Sequence, residues 1–247
     1  MEQVPSTAAI PVQLQPQDSC LAVWSLREEP VPCGIHAGTP AVVLRLQGCP
    51  VGCPWCNAPA GIPEPTIADE EDQASEEDLE RGDGQRGWRW LSGTRLLALI
   101  GGYQSRHVLI TGGEPALYDL AWFSAQLLER GYSVQVETSG VLPLSVDRRV
   151  WVSLSPKHQQ PGGLMVRDWL YRRANEVIQP VTGPQDARWL DRALKARCNG
   201  EVPIWLLPLT GRPDLQELAW DWARTFGVRL CAGMPHVDAT RTHSAPD

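Results

Sequence analysis

The chain has 247 residues, 43% hydrophobic and 21% charged, which at ~150 residues per domain fits one large α/β unit as well as two small ones. That composition supplies a core and excludes wholesale disorder and a fibrous architecture. The net charge is −7, yet ten of the 29 acids fall within 64–83 against Arg81 alone, so the rest of the chain is near neutral and offers no concentrated basic face for nucleic acid.

Residues 1–18, with Pro5, Pro11 and Pro16 among Gln and Ser, read as a flexible tail, and 239–247 as a second one. Neither an apolar run of ~18 residues nor a basic, apolar leader is present. The expectation is a cytoplasmic chain with no membrane partner. A single core domain is expected over 19–238, carrying a solvated acidic insertion at about 58–87. Within it, short β-branched and apolar runs recur at 41–46, 107–111, 133–137, 150–154, 176–179, 203–207 and 228–231. Helical spacing separates several of them, at 120–130 closed by Gly131, at 186–197 closed by Asn199-Gly200, and at 214–226 closed by Gly227. Asp119 and Asp214 stand where a capping or first-turn acid helps, and Leu120, Phe123 and Leu127 share one helical face. Strand then helix, repeated, predicts an α/β fold: an incomplete (β/α) barrel of about six parallel strands, with its site in the loops after the strands' C-terminal ends. Of the eleven tryptophans, Trp122, Trp189, Trp220 and Trp222 fall inside these helices and read as packing residues.

Seven cysteines, an odd number in a long chain, make a disulfide framework improbable and predict reduced thiols used for metal or redox chemistry. Cys49, Cys53 and Cys56 are spaced Cys-x3-Cys-x2-Cys in a Gly- and Pro-rich loop directly after the first core strand. Glycines there permit turns that a β-carbon would block, and prolines limit the loop's freedom, so three thiolates can converge. Zinc would require a fourth protein ligand, for which Cys33 or His36 is a candidate. Three ligands instead suit an iron–sulfur cube with one open iron.

The spacing, with Trp55 just before the third cysteine, resembles the signature of radical S-adenosylmethionine (SAM) enzymes. The resemblance implies a [4Fe-4S] cluster on Cys49, Cys53 and Cys56 whose open iron is chelated by SAM, and a 5′-deoxyadenosyl radical as its product. Thr111-Gly112-Gly113-Glu114-Pro115 is similar to the turn that such enzymes place against the methionine amino group of SAM. Read further along the core, 41–56, 106–115, Glu137-Thr138-Ser139-Gly140 and Ser155-Pro156-Lys157 resemble the 7-carboxy-7-deazaguanine synthase family, over most of 21–238. That likeness implies a carbon–nitrogen lyase contracting 6-carboxy-5,6,7,8-tetrahydropterin in queuosine biosynthesis, with Mg²⁺, a reductant such as flavodoxin or ferredoxin, and a homodimer. By position it assigns Trp55, Gly112, Gly113, Glu114, Ser139, Ser155 and Lys157 to the cofactor. It assigns Arg45, Thr111 and Glu29 to the substrate, Arg45 gripping a carboxylate through its fork of donors.

Departures cluster on the substrate half. The family's Gln-Gly-Glu-Gly loop reads Arg27-Glu28-Glu29-Pro30 here, or Val31-Pro32-Cys33-Gly34 when aligned without a gap. Its Mg²⁺-ligating Thr is Ala58, whose methyl group cannot coordinate a hard cation, and its Gln before Pro is Leu207. A relative acting on another substrate, or a non-catalytic, cluster-binding regulatory homologue, therefore stands beside the synthase reading.

Overall fold

The computed structural model describes residues 20–56, 75–81, 87–196 and 202–231. Both expected tails, Asn57-Ala58, Asn199-Gly200 and most of the acidic insertion lie outside them. Among the described residues nine strands form one sheet, and seven of them run parallel: β2 (Pro40–Leu46), β4 (His107–Gly112), β5 (Ser133–Thr138), β6 (Trp151–Leu154), β7 (Glu176–Val181), β8 (Ile204–Pro208) and β9 (Arg229–Leu230). These are the seven apolar runs. Two antiparallel strands, β1 (Cys20–Pro30) and β3 (Arg89–Ser92), extend the sheet beyond β2. Arg27–Pro30 therefore belong to a strand, and the loop before the first parallel strand is 31–39.

The helices share one face of the sheet. Leu96 and Ile100 of α2 (Gly93–Ile100) and Phe123 and Leu127 of α3 (Ala121–Glu129) pack on Val42, Leu44, Val108, Ile110 and Val136. Leu170 of α4 (Asp168–Arg173), Leu190 of α5 (Ala187–Ala196) and Ala219 of α6 (Pro213–Phe226) pack on Leu154, Val177, Ile204 and Leu206. Capping follows the sequence: Asp119 accepts from Ala121 N at 3.0 Å, Pro213 starts α6, and Gly227 ends it with φ 63°. Part of the acidic stretch is structured as well. It forms α1 (Glu76–Arg81), whose Leu79 is buried in the same core while Glu76 pairs with Arg95 at 2.5 Å.

Because strand side chains alternate, the residues between those apolar positions line the helix-free inner face. At the strands' N-terminal ends this face carries a connected polar floor. His107 meets Ser133 Oγ at 2.8 Å and Gln135 Oε1 at 3.0 Å, Gln135 donates to Ser153 Oγ, and Ser153 donates to Glu176 at 2.6 Å. Fully buried Glu176 also accepts from Trp151 Nε1 and from Ile35 N at 2.8 Å, which pins the 31–39 loop under the sheet. Gly34 is required there, since a β-carbon would stand 2.6 Å from Glu176 Oε1 and its φ is +89°. The expectation that all thiols are reduced is corrected at this loop. Cys33 is joined to Cys231 in a disulfide, Cα–Cα 5.7 Å, tying the floor loop to the residue after β9. Odd parity could not reveal the bond, because residues 198 positions apart meet only when the sheet curls them together.

Candidate active site

The cysteine loop begins where β2 ends and is held by the turn after the neighbouring strand β4. Gly113 N donates to Leu46 O and Glu114 N to Gly48 O, each at 2.8 Å. Contact is so close that a β-carbon on Gly113 would lie 2.0 Å from Gly48 O, and one on Gly112, whose φ is +108°, 2.5 Å from Leu46 N. Tyr118 OH donates to Gln47 O at 2.7 Å, and Gly162 N to Val51 O at 3.1 Å, fixing the loop from two further sides. Only a backbone free of side chains admits this packing, which explains the pair of glycines read from the sequence.

Cys49 and Cys53 are half-buried and Cys56 is exposed; Trp55, which precedes Cys56 in the chain, is half-buried. Burial pushes the Cys49 thiol up to about 11, and the neighbouring charges of Glu114, Cys53 and Cys56 add to it. Cys53 is raised by burial as well, with the Lys157 ammonium opposing. The three sulfurs thus share one electrostatic neighbourhood, and binding to iron must displace their protons. Among the described residues no group of three His, Cys, Asp or Glu side chains is placed to hold a single metal ion. The zinc completion is corrected: Cys33 is bonded to Cys231, and His36 lies at the floor, its ring 4.7 Å from His107 and 5.1 Å from Trp151.

Around the loop the C-terminal ends of β4, β5 and β6 converge. Glu114, 1% exposed, accepts from Ala116 N at 3.0 Å and Thr138 Oγ1 at 2.6 Å with one oxygen, and from the backbone N and hydroxyl of Ser139 with the other. Both carboxylate oxygens are thus taken, and one of them fixes Ser139. Ser155 follows β6 and accepts from Lys157 Nζ at 2.6 Å, while Lys157 N reaches Ser139 O. Cys49, Cys53, Cys56, Gly113, Ser139, Ser155 and Lys157 are thus gathered at one end of the sheet.

Arg45 and Thr111, in register on β2 and β4, face inward beside this end. Thr111 Oγ1 donates to Glu137 Oε2 at 3.3 Å. Arg45 grips Glu29 through two hydrogen bonds of 2.6 and 2.9 Å, and Arg27 Nε also donates to Glu29. Burial pushes the Glu29 carboxyl up, but the bonds and charges of Arg45 and then Arg27 outweigh it and leave it below the usual range. The sequence reading named Glu137 and Arg27 only within motifs and did not single out His158. Alternation along β5 was the available signal for Glu137. His158, just beyond Lys157, stacks on Trp189 at 4.0 Å and meets Tyr171 OH at 2.7 Å; burial, then Arg192 and Arg188, push its pKa down to about 4.

A partly closed parallel sheet, bearing a three-cysteine loop against a glycine turn at its C-terminal end, defines a radical SAM enzyme. No protein-family model matches the chain. A 7-carboxy-7-deazaguanine synthase of Escherichia coli (strain K12) is 38% identical over 191 residues, covering 75% of this chain and 83% of that one. Its counterpart in Buchnera aphidicola is 32% identical over 165 residues, covering 66% and 72%. The crystal structure of QueE from Escherichia coli matches with a TM-score of 0.76 at 33% identity, covering 85% of this chain and 92% of that one. The chain belongs to the 7-carboxy-7-deazaguanine synthase family.

Proposed function

We propose that this protein converts 6-carboxy-5,6,7,8-tetrahydropterin to 7-carboxy-7-deazaguanine with loss of ammonia, on the route to queuosine, in the cytoplasm. The observation that carries the reading is the seating of the Cys49–Cys56 loop on Gly113, beside Ser139, Ser155 and Lys157, in a chain so similar to named synthases over most of their length. The residues fit a cluster and SAM: three neighbouring thiols, with the Ser139 and Ser155 hydroxyls and the Lys157 ammonium beside them. When bound, the [4Fe-4S] cluster and SAM supply a 5′-deoxyadenosyl radical that takes hydrogen from C6 of the substrate.

The chain's own residues do the rest. Cys49, Cys53 and Cys56 would hold three irons, with Trp55 beside the third ligand in the loop. Gly112 and Gly113 hold the cysteine loop against the turn, Ser139 and Ser155 would offer hydroxyls to SAM, and Lys157 would balance the sulfurs' negative charge. Glu114 fixes Ser139, so a tilt of that carboxylate moves the SAM contact. Arg45 orients the substrate through its carboxylate, with Thr111 and Glu137 facing the ring on the neighbouring strands. Mg²⁺ does not fit in the family's manner, since Ala58 offers no oxygen ligand from its side chain, and no step is assigned to it. A reductant of the flavodoxin or ferredoxin kind and a second copy of the chain complete the expected partners.

Anaerobic reconstitution with iron and sulfide, then incubation with SAM, dithionite and carboxytetrahydropterin, tests the proposal. 7-Carboxy-7-deazaguanine is the expected product. SAM cleavage without it would favour a different substrate, a reading that the Glu29 grip on Arg45 and the loss of the Mg²⁺ ligand support. An absence of any 5′-deoxyadenosine would leave a non-catalytic homologue.

A further inference from the structure

Glu29 and Arg45 stand on the same inner face, Glu29 beside Ala41 in the antiparallel register of β1 and β2 and Arg45 four residues further along β2. Both oxygens of Glu29 are taken by the two terminal nitrogens of Arg45, the bidentate geometry that a guanidinium makes with a ligand carboxylate. The side chains of Arg27, Glu29 and Arg45 keep 25%, 24% and 22% of their surface exposed, so the group borders open space. Two guanidiniums thus converge on one carboxylate. A ligand carboxylate that enters here meets a guanidinium fork that already holds one.

We propose that Glu29 is a built-in competitor for the substrate's carboxylate on Arg45, and that Arg27 keeps Glu29 when a carboxylated ligand takes its place. The inference rests on the reading of Arg45 as the substrate's anchor. The exchange replaces the Arg45–Glu29 pair by one between Arg45 and the ligand and keeps the pair that Arg27 already makes with Glu29, so that no carboxylate is left unpaired. Discrimination follows from it. A ring lacking the carboxylate cannot displace Glu29 and gains nothing from Arg45, whereas a carboxylated ring gains the pair at the cost of breaking an existing one. Arg27 lowers that cost because it already contacts Glu29. Glu29 and Arg27 together thus set how strongly the site prefers a carboxylated ligand, which makes both specificity-determining residues.

Equilibrium dialysis of the reconstituted holoenzyme with SAM, using 7-carboxy-7-deazaguanine and its decarboxylated ring, 7-deazaguanine, separates the possibilities. Glu29→Gln is expected to bind the carboxylated ligand about tenfold more tightly and the bare ring as wild type does. Arg27→Gln is expected to bind the carboxylated ligand about tenfold more weakly, again with the bare ring unchanged, and the double variant to recover the loss. Equal or weaker binding of the carboxylated ligand by Glu29→Gln overturns the exchange, as does an Arg27→Gln effect of the same size on both ligands. Arg45→Gln distinguishes the two layers. If it binds the carboxylated ligand as wild type does, the anchor reading falls and takes the exchange with it; if it weakens that ligand while Glu29→Gln fails to tighten it, the exchange alone falls.

Discussion

Gly113→Ala places a methyl group where the structure has none to spare. The new β-carbon would stand 2.0 Å from the Gly48 carbonyl oxygen and 2.7 Å from its carbon, against about 3.3 Å for a close C–H···O contact. The overlap of roughly 1.3 Å falls on backbone, which cannot rotate away as a side chain tip would. If the turn opens to admit the methyl, the bonds from Gly113 N to Leu46 O and Glu114 N to Gly48 O stretch. At about 1 kcal/mol each, with about 1–3 kcal/mol for overpacking, the fold loses roughly 3–5 kcal/mol. If the cysteine loop moves instead, Cys49 shifts with Gly48 by about 1 Å, a misplacement that costs about a hundredfold in rate. Thermal unfolding and anaerobic SAM cleavage, measured on the same preparation, capture both routes. Gly131→Ala is the control: its φ is +82° with nothing within 4 Å, so it costs only about 1–2 kcal/mol of backbone strain and leaves SAM cleavage intact. A Gly113→Ala protein with wild-type stability and wild-type 5′-deoxyadenosine formation would refute the seating argument.

Cys53→Ala is expected to lose cluster iron and all SAM cleavage while remaining folded, because two thiolates in this loop cannot hold the cube; retained activity would remove the assignment. Cys231→Ser opens the bond to Cys33 across a 198-residue separation, so its denaturant midpoint should fall by the equivalent of about 2–5 kcal/mol and become insensitive to reductant. Coincident wild-type unfolding curves with and without dithiothreitol would contradict that. His158 binds its proton in the folded chain only near pH 4, against 6.5 for the free ring. The unfolded chain therefore takes up that proton first, and stability should fall as the pH drops from 6.5 towards 4 and then level off. His158→Gln should flatten this part of the curve; an unchanged slope would place the titration elsewhere.

Much of the scaffold was legible from local pattern. Seven apolar runs, the glycine stop at Gly227 and the capping acid Asp119 are governed by neighbours in the chain, and all appear where the spacing predicts them. Strands β1 and β3 were not read as strands: the apolar first half of β1, Leu21–Leu26, was passed over, while Arg27-Glu28-Glu29 and Arg89-Trp90 carry polar or mixed residues whose extended form is imposed by pairing with β2 and with each other. Leu79 escaped notice for a related reason: one apolar residue in an acidic run means little until a core receives it.

At the site, the Cys-x3-Cys-x2-Cys spacing and the Gly112-Gly113 pair could be read directly, because ligand identity and backbone freedom are properties of single residues in a short loop. Which residues meet across the sheet is another matter. The bond between Cys33 and Cys231, the hold of Glu114 on Ser139, and the grip of Arg45 on Glu29 join positions that only strand order and register bring together. Sequence alone determined the chemistry the loop can perform, since that depends on atoms adjacent in the chain. Tertiary structure decided what faces that chemistry, because charge and shape at a site are sums over groups that the chain keeps far apart until the sheet closes around them.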